Sequence, residues 1–179
     1  MFAGVQLRLL AETDAEELFA LTDRNREYLR KWLPWVDGAR SVSDTREFIK
    51  STIEKRAGGA GITAALRFQD RIAGVVGCQR LEPGDRSAGI GYWLGESFQG
   101  RGLMTWACRK MVHRTFQELG VDQVEIRCAA RNRKSRAIPE RLGFRKEQTI
   151  WRAQWLYDHY VNHVVYRMPA SGWVKGAPE

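Results

Sequence analysis

A strand that runs into a glycine loop, and from there into the longest amphipathic helix of the chain, limits the possible folds more than any other feature. Ala88–Leu94 reads as a strand. The loop that follows carries Gly95, Gly100 and Gly102. From Gln99 to Leu119 apolar residues recur at Met104, Ala107, Cys108, Met111, Val112, Thr115, Phe116 and Leu119. That is a continuous stripe of 3.6-residue period, with Gly120 placed to end it. Such a helix needs a sheet or other helices to cover its apolar face.

The flanking sequence supplies a sheet. Leu7–Leu10 reads as a short first strand. Asp14 followed by Glu17 has the spacing of a capping box, and Leu18, Leu21, Tyr28, Leu29 and Trp32 then recur as one helix that Pro34 stops. Ser43 is placed to cap a second helix with Phe48, Ile49, Thr52 and Ile53 on its stripe, broken by Gly58, Gly59 and Gly61. Ile62–Phe68 and Ile72–Leu81 read as strands joined at Gln69-Asp70-Arg71, and Glu82-Pro83-Gly84-Asp85 is a turn signal. Their short connections make these strands antiparallel candidates. After the long helix come a β-branched strand, Gln123–Ala129, a short helix, Ser135–Leu142, with Pro139 inside it, and a closing hairpin of Gln148–Leu156 and Tyr160–Met168. The order predicts an α/β (α+β) domain over residues 1–169 around one mixed sheet, with a frayed tail at 170–179.

Bulk properties exclude several classes. A chain of 179 residues buries about 70% of its unfolded surface without disulfides or metals. No segment has the length and apolarity of a membrane span, and without a charged-then-apolar opening no leader is expected. Cys78, Cys108 and Cys128 are three, widely spaced, and form no CxxC pair. The expected setting is therefore reducing and cytoplasmic. His159 and His163 are four apart, but no carboxylate or cysteine sits at ligand spacing, so no metal site is expected. A net charge of +8 favours an acidic partner: a phosphorylated ligand, nucleic acid or an acidic protein. Nucleic-acid binding would rest on charge alone.

The glycine loop carries the main chemical signal. The first turn of a helix has backbone N–H groups without internal partners, and the helix dipole places about half a positive charge there. Gly100 and Gly102 let an anion approach the backbone, and Arg101 can add charge. Together they suit a pyrophosphate. The loop is not a Walker loop, because no Gly-Lys-Ser/Thr follows, and it lacks the third glycine of a dinucleotide fingerprint. A tight turn with no ligand would share the two glycines.

The region from Gln99 to Leu103, Gln-Gly-Arg-Gly-Leu, resembles the Arg/Gln-x-x-Gly-x-Gly/Ala signature of the GNAT N-acetyltransferase superfamily, with Met104 where that pattern has Gly or Ala. The resemblance continues through Asn132-Arg133-Lys134-Ser135 and Leu142-Gly143-Phe144. Gly100 to Thr105, Cys128 and Leu156-Tyr157-Asp158-His159-Tyr160 resemble the RimJ/RimL type, the ribosomal-protein N-terminal acetyltransferases. This resemblance implies a mixed sheet of about seven strands with four main helices, splayed between the fourth and fifth strands. It also implies acetyl-CoA as cosubstrate, direct attack by an amine, and a dimer. Trp93, Leu94, Gln99, Gly100, Arg101, Gly102, Leu103, Met104, Thr105, Asn132 and Ser135 would then bind the cofactor. Ser135 would also hydrogen-bond the departing thiolate. Asn132 and Ser135 are equally suited to capping the helix they open. The basic residues Arg127, Arg131, Arg133, Lys134 and Arg136 could meet the 3′-phosphate or an acidic acceptor, or be a solvated face.

By the same resemblance, Tyr28, Trp32, Trp35, Tyr92 and Trp155 would wall the acceptor. One departure matters. The subgroup carries a Glu in an Ala-Glu-Trp/Tyr-Leu run on its sixth strand, thought to deprotonate the amine. Here the run is Ala153-Gln154-Trp155-Leu156, and Gln154 is no base near neutral pH. Either Gln154 serves catalysis by orienting a water, or another group acts, with Glu125, Tyr157, Asp158 and His159 as the candidate replacements. Cys128 as a nucleophile would not fit direct transfer. An α-amine of pKa about 7.8 is roughly 10–15% neutral at pH 7, against about 0.04% for lysine. A site without a strong base therefore suits a protein N-terminal α-amine. The alternatives are a small-molecule acceptor, such as a polyamine or aminoglycoside, and an acyl-CoA-binding protein with weak catalysis.

Overall fold

The computed structural model describes residues 3–82 and 86–173. In chain order the strands are β1 (Val5–Leu9), β2 (Gly61–Phe68), β3 (Arg71–Arg80), β4 (Ser87–Leu94), β5 (Gln123–Ala129), β6 (Arg145–Leu156) and β7 (His159–Pro169). They form one sheet in the order β1-β2-β3-β4-β5-β7-β6. All neighbours are antiparallel except β4 and β5, which the long helix connects in parallel. The helices are α1 (Ala15–Arg24), α2 (Arg26–Arg30), α3 (Val42–Ala57), α4 (Leu103–Leu119) and α5 (Arg133–Arg141).

Two apolar clusters sandwich the sheet. On one face the α4 stripe Met104, Ala107, Cys108, Met111 and Val112 packs with Val76, Ile90, Ile126 and Tyr166. On the other, Leu18 and Leu21 of α1 and Ile49 of α3 pack with Ala65, Ile72 and Val75. The result is a three-layer domain with a mixed seven-stranded sheet, as its element order implies. Among the described residues no helix is long and apolar enough to cross a membrane.

The parallel pair diverges, and this places the site. β4 and β5 stay in register only from Ser87↔Gln123 to Ile90↔Ile126. Beyond that point Gly91–Leu94 and Arg127–Ala129 have no strand partner across the gap, while β4 stays paired to β3 and β5 to β7. Backbone groups facing such a gap require other partners.

Several element boundaries differ from the sequence expectation. The first helix is broken at Asn25, so five helices stand where four were expected. The Asn25 side chain donates to the Leu21 carbonyl at 2.8 Å and accepts from the Glu96 N–H at 2.8 Å. The break thus anchors the loop after β4. Asp14 and Glu17 form no capping box. Asp14 is buried against Arg8, and the Glu17 carboxylate accepts from the Ile72 N–H and from Arg67. Ser41, not Ser43, caps α3, accepting from the Asp44 N–H. Phe48 and Ile53 are exposed; Thr45, Ile49 and Thr52 face the core. The long helix starts at Leu103 because Gly102 takes a left-handed conformation, φ 74°, which leaves Gln99 to Arg101 in the loop. β6 begins at Arg145, three residues ahead of Gln148. Ala170–Gly172 form a 3-10 turn that brings Trp173 against Phe116, with ring centroids 6.4 Å apart. The expected turn at Pro83–Asp85 and the tail from residue 174 lie outside the described residues.

Candidate active site

A cleft of about 1090 Å³ opens where β4 and β5 part. Its size exceeds the usual range for one compact ligand, which leaves room for a long cofactor and a second substrate. It divides into an anion end, a centre and an acceptor wall.

The anion end is the start of α4. Gly100 and Gly102 both adopt positive φ, 75° and 74°, a conformation in which a side chain is strained. No side chain caps α4, and its first turn holds no acidic residue. Its leading N–H groups therefore have no side-chain partner beside the cleft. Gln99, Gly100, Gly102, Leu103, Met104 and Thr105 all line the cleft. Arg109, Lys134 and Arg141 add positive charge to the lining, and Lys134 bridges to Gln99 at 2.9 Å. Arg101 is not in the lining. It lies over the Phe68 ring, 5.5 Å from its centroid. This end fits a pyrophosphate and a further phosphate: unpaired amides, permissive glycines and cations converge.

The centre joins Tyr92 of β4, Cys128 of β5 and Ser135 of α5. Strand alternation sends Tyr92 toward α5 and its neighbour Trp93 to the opposite face. Pro139 supplies no N–H to the Ser135 carbonyl, which is four residues earlier in α5. The Tyr92 hydroxyl donates to that carbonyl instead, at 2.8 Å. Ser135 Oγ lies 3.3 Å from Cys128 Sγ and 3.4 Å from Tyr92 Oη. Both neutral partners are weaker acceptors than a thiolate, so the Ser135 hydroxyl can exchange them for one. Burial raises the Cys128 thiol above its ordinary value, and burial holds the Tyr92 phenol well above 10. Both stay protonated near neutral pH, which removes Cys128 as a thiolate nucleophile. Asn132 caps α5, its Oδ1 accepting from the Ser135 N–H at 3.1 Å. Capping leaves the amide NH₂ of Asn132, which also lines the cleft, able to donate.

The acceptor wall comes from α2 and the loop after it. Tyr28, Leu29, Trp32, Leu33 and Pro34 line the cleft. Arg26 braces this loop, donating to the Val36 carbonyl at 2.6 Å and the Ala39 carbonyl at 2.8 Å. Tyr157, in the β6–β7 turn, donates to the Leu33 carbonyl at 2.6 Å. Trp93 and Leu94 are in the lining. Trp35 is not, but it packs on Trp93 with centroids 5.9 Å apart. Trp155 is 53% exposed and stacks edge-on with Tyr160, outside the cleft.

Gln154 lines the cleft, and the geometry of β6 puts it there. Ile150 pairs with His163 and Gln154 with Val161, so β6 carries two extra residues in this interval. Arg152 sits at φ 49° within the bulge, and its N–H donates to Asn162 Oδ1 at 2.8 Å. None of the four candidate replacement bases is in the lining. Glu125 is buried between Arg127 and Arg167. Tyr157 is held by Leu33, and Asp158 with His159 forms an exposed pair at the turn. His163 does line the cleft. Burial, then the nearby Arg127, holds its imidazole below the ordinary value of 6.5. In the sequence His163 stands out only through its four-residue spacing from His159. Its signal was its place on the closing strand, one hairpin register from Gln154, and that register depends on a bulge no pattern announced. Among the described residues no group of three His, Cys, Asp or Glu is arranged to hold a metal.

The model of the acetyltransferase (GNAT) domain matches residues 5–145. The ribosomal-protein-serine acetyltransferase of Escherichia coli (strain K12) is 30% identical over 157 residues, covering 88% of each chain. YdaF of Bacillus subtilis (strain 168) is 38% identical over 144 residues, 80% of this chain and 79% of that one. Among solved structures, a RimL ribosomal α-N-protein acetyltransferase in complex with coenzyme A superposes with a TM-score of 0.88 at 27% identity, covering 93% of this chain and 94% of that one. The microcin self-immunity acetyltransferase MccE, in complex with acetyl-CoA and AMP, superposes with a TM-score of 0.87 at 28% identity, covering 93% of each.

Proposed function

The chain belongs to the GNAT acetyltransferase family and is an acetyl-CoA-dependent N-acetyltransferase, and from that premise we propose that its acceptor is the N-terminal α-amine of a protein. The observation that carries this reading is the charge of the cleft. Among the described residues its lining holds one acid, Glu96, against Arg109, Arg127, Lys134 and Arg141. A polyamine or aminoglycoside brings several positive charges, and such a lining repels them. A peptide N-terminus brings one, and can bring acidic side chains that the lining attracts. The missing carboxylate at Gln154 points the same way, because an α-amine is already partly neutral near pH 7. The named substrates of the E. coli relative and of the RimL structure, ribosomal proteins, agree with this reading.

The residues divide the work. Gly100 to Thr105 present amides and Lys134 a cation to the phosphates of the cosubstrate. The unpaired edges Gly91–Leu94 and Arg127–Ala129 offer backbone partners to its amide-bearing arm. Bound acetyl-CoA supplies an activated acyl group. Ser135 is placed to donate a hydrogen bond to the sulfur as it leaves. Tyr28, Trp32 and Pro34 hold the amine and exclude water from the thioester. Initial rates of thiol release, measured with peptides bearing a free α-amine and with spermidine, test the proposal. Peptide rates at least tenfold above spermidine are expected; the reverse order would refute it.

A further inference from the structure

We propose that His163 takes the proton from the attacking amine, the task for which Gln154 has no basic lone pair. The inference rests on the N-acetyltransferase reading and adds the identity of the proton acceptor.

The sheet register places the residue. Ala129, the last residue of β5, pairs with His163 of β7, and Ile150 of β6 pairs with His163 from the other side. Gln154 pairs with Val161, two residues from His163. Side chains alternate along a strand, so Val161 and His163 share one face, and Gln154 shares it through its pairing. Both Gln154 and His163 line the cleft. Cys128, one residue before Ala129, points to the opposite face, where it meets Ser135 Oγ at 3.3 Å. The thiolate donor and the imidazole therefore flank the free end of β5 from its two faces. An acyl carbon held in the gap there would have its leaving group toward Ser135 and its open side toward His163.

The protonation state agrees with the task. A base must be neutral before it acts, and burial together with Arg127 keeps His163 largely neutral at pH 7. The other titratable or charged groups sharing the cleft are Tyr28 of α2, Tyr92 of β4, Cys128 of β5 and, toward the anion end, Glu96, Arg109, Lys134 and Arg141. Glu96 is the one carboxylate of this set. It opens the 3-10 turn leading to the glycine loop, where its own N–H is tied to Asn25, so it belongs to the anion end.

In the step itself, the amine nitrogen forms a bond to the thioester carbonyl carbon, and the carbon–sulfur bond breaks with its electron pair going to sulfur. The proton lost from nitrogen moves to the imidazole, directly or through one water. The imidazolium then returns it to solvent, and the thiolate takes one up. No electron acceptor is needed.

The test is a pH–rate profile with the best acceptor found among peptides and polyamines, so that failure of the α-amine reading leaves it intact. The amine and His163 must both be deprotonated. In the wild-type protein log kcat/KM should therefore fall with a slope of two at the acid end, where both groups titrate. His163→Gln should lower kcat about 100-fold or more, reduce that slope to one, and keep the Kd for acetyl-CoA within about twofold. A second substitution, Gln154→Glu in the His163→Gln background, should restore kcat at least tenfold. A wild-type slope of one would overturn the proposal without any variant. So would a His163→Gln protein that binds acetyl-CoA and keeps more than a third of wild-type kcat.

Discussion

The Tyr92 hydroxyl donates to the Ser135 carbonyl at 2.8 Å, and it reaches that carbonyl because Pro139 has no N–H to offer it. A proline that looks like a fault in α5 is what couples that helix to β4 across the mouth of the cleft. Removing the hydroxyl leaves a half-buried carbonyl without a partner, which costs about 1–3 kcal/mol. Tyr92→Phe should therefore destabilise the protein by that amount. Pro139→Ala returns a helical N–H to the same carbonyl. In that background the cost of Tyr92→Phe should shrink by about 0.5–1.5 kcal/mol, a coupling that a double-mutant cycle in urea measures. Additive costs would mean that the two residues do not share the acceptor.

Gly102→Ala tests the anion end. The backbone there is left-handed, φ 74°, and a Cβ costs about 1–2 kcal/mol in that conformation. A lower Tm, by about 2–8 °C, is expected. The affinity for acetyl-CoA should fall about tenfold or more, the worth of one charge-assisted hydrogen bond. Calorimetry of acetyl-CoA binding checks this. An unchanged Kd would place the phosphates elsewhere.

Trp32→Ala tests the acceptor wall. Trp32 follows α2 and lines the cleft together with Leu29 and Leu33. Its loss should raise KM for the peptide acceptor several-fold while the Kd for acetyl-CoA stays constant. A change in Kd alone would assign Trp32 to the cofactor.

His163 also predicts a stability trend. Its folded imidazole titrates below the unfolded value of about 6.5. The unfolded chain therefore binds more protons between the two values, and stability rises with pH across that window. The contribution is complete above about pH 6.5 and is lost as pH falls through the folded value. Tm measured from pH 5 to 7 should climb less steeply in His163→Gln than in the wild-type protein. Parallel curves would show that His163 has an ordinary imidazole.

The long helix, the glycine loop and the strand segments were legible because each rests on a local rule. A 3.6-residue stripe, a glycine pair and β-branched runs need no distant partner to be recognised. Where tertiary contacts decide, the sequence misled. Asn25 breaks a continuous apolar stripe because its side chain is used by Leu21 and Glu96. Asp14 and Glu17 have the spacing of a cap, yet Arg8, Arg67 and Ile72 claim them. The same limit applies to the site. Gln99, Gly100, Gly102, Asn132, Ser135 and Gln154 line one cleft, and it was the family resemblance, not spacing alone, that linked them. Arg101 and Trp155 belong to the same motifs but turn away, and His163 enters through a bulge that pairs Gln154 with Val161. A bulge is a property of two strands together, so neither strand's sequence announces it.

The most direct test uses a peptide with a free N-terminal serine and one internal lysine, incubated with acetyl-CoA and read by tandem mass spectrometry. A single acetyl group on the terminal nitrogen is expected, with an equal amount of coenzyme A thiol released. Acetyl on the lysine side chain, or thiol released with no acetylated peptide, would contradict this account.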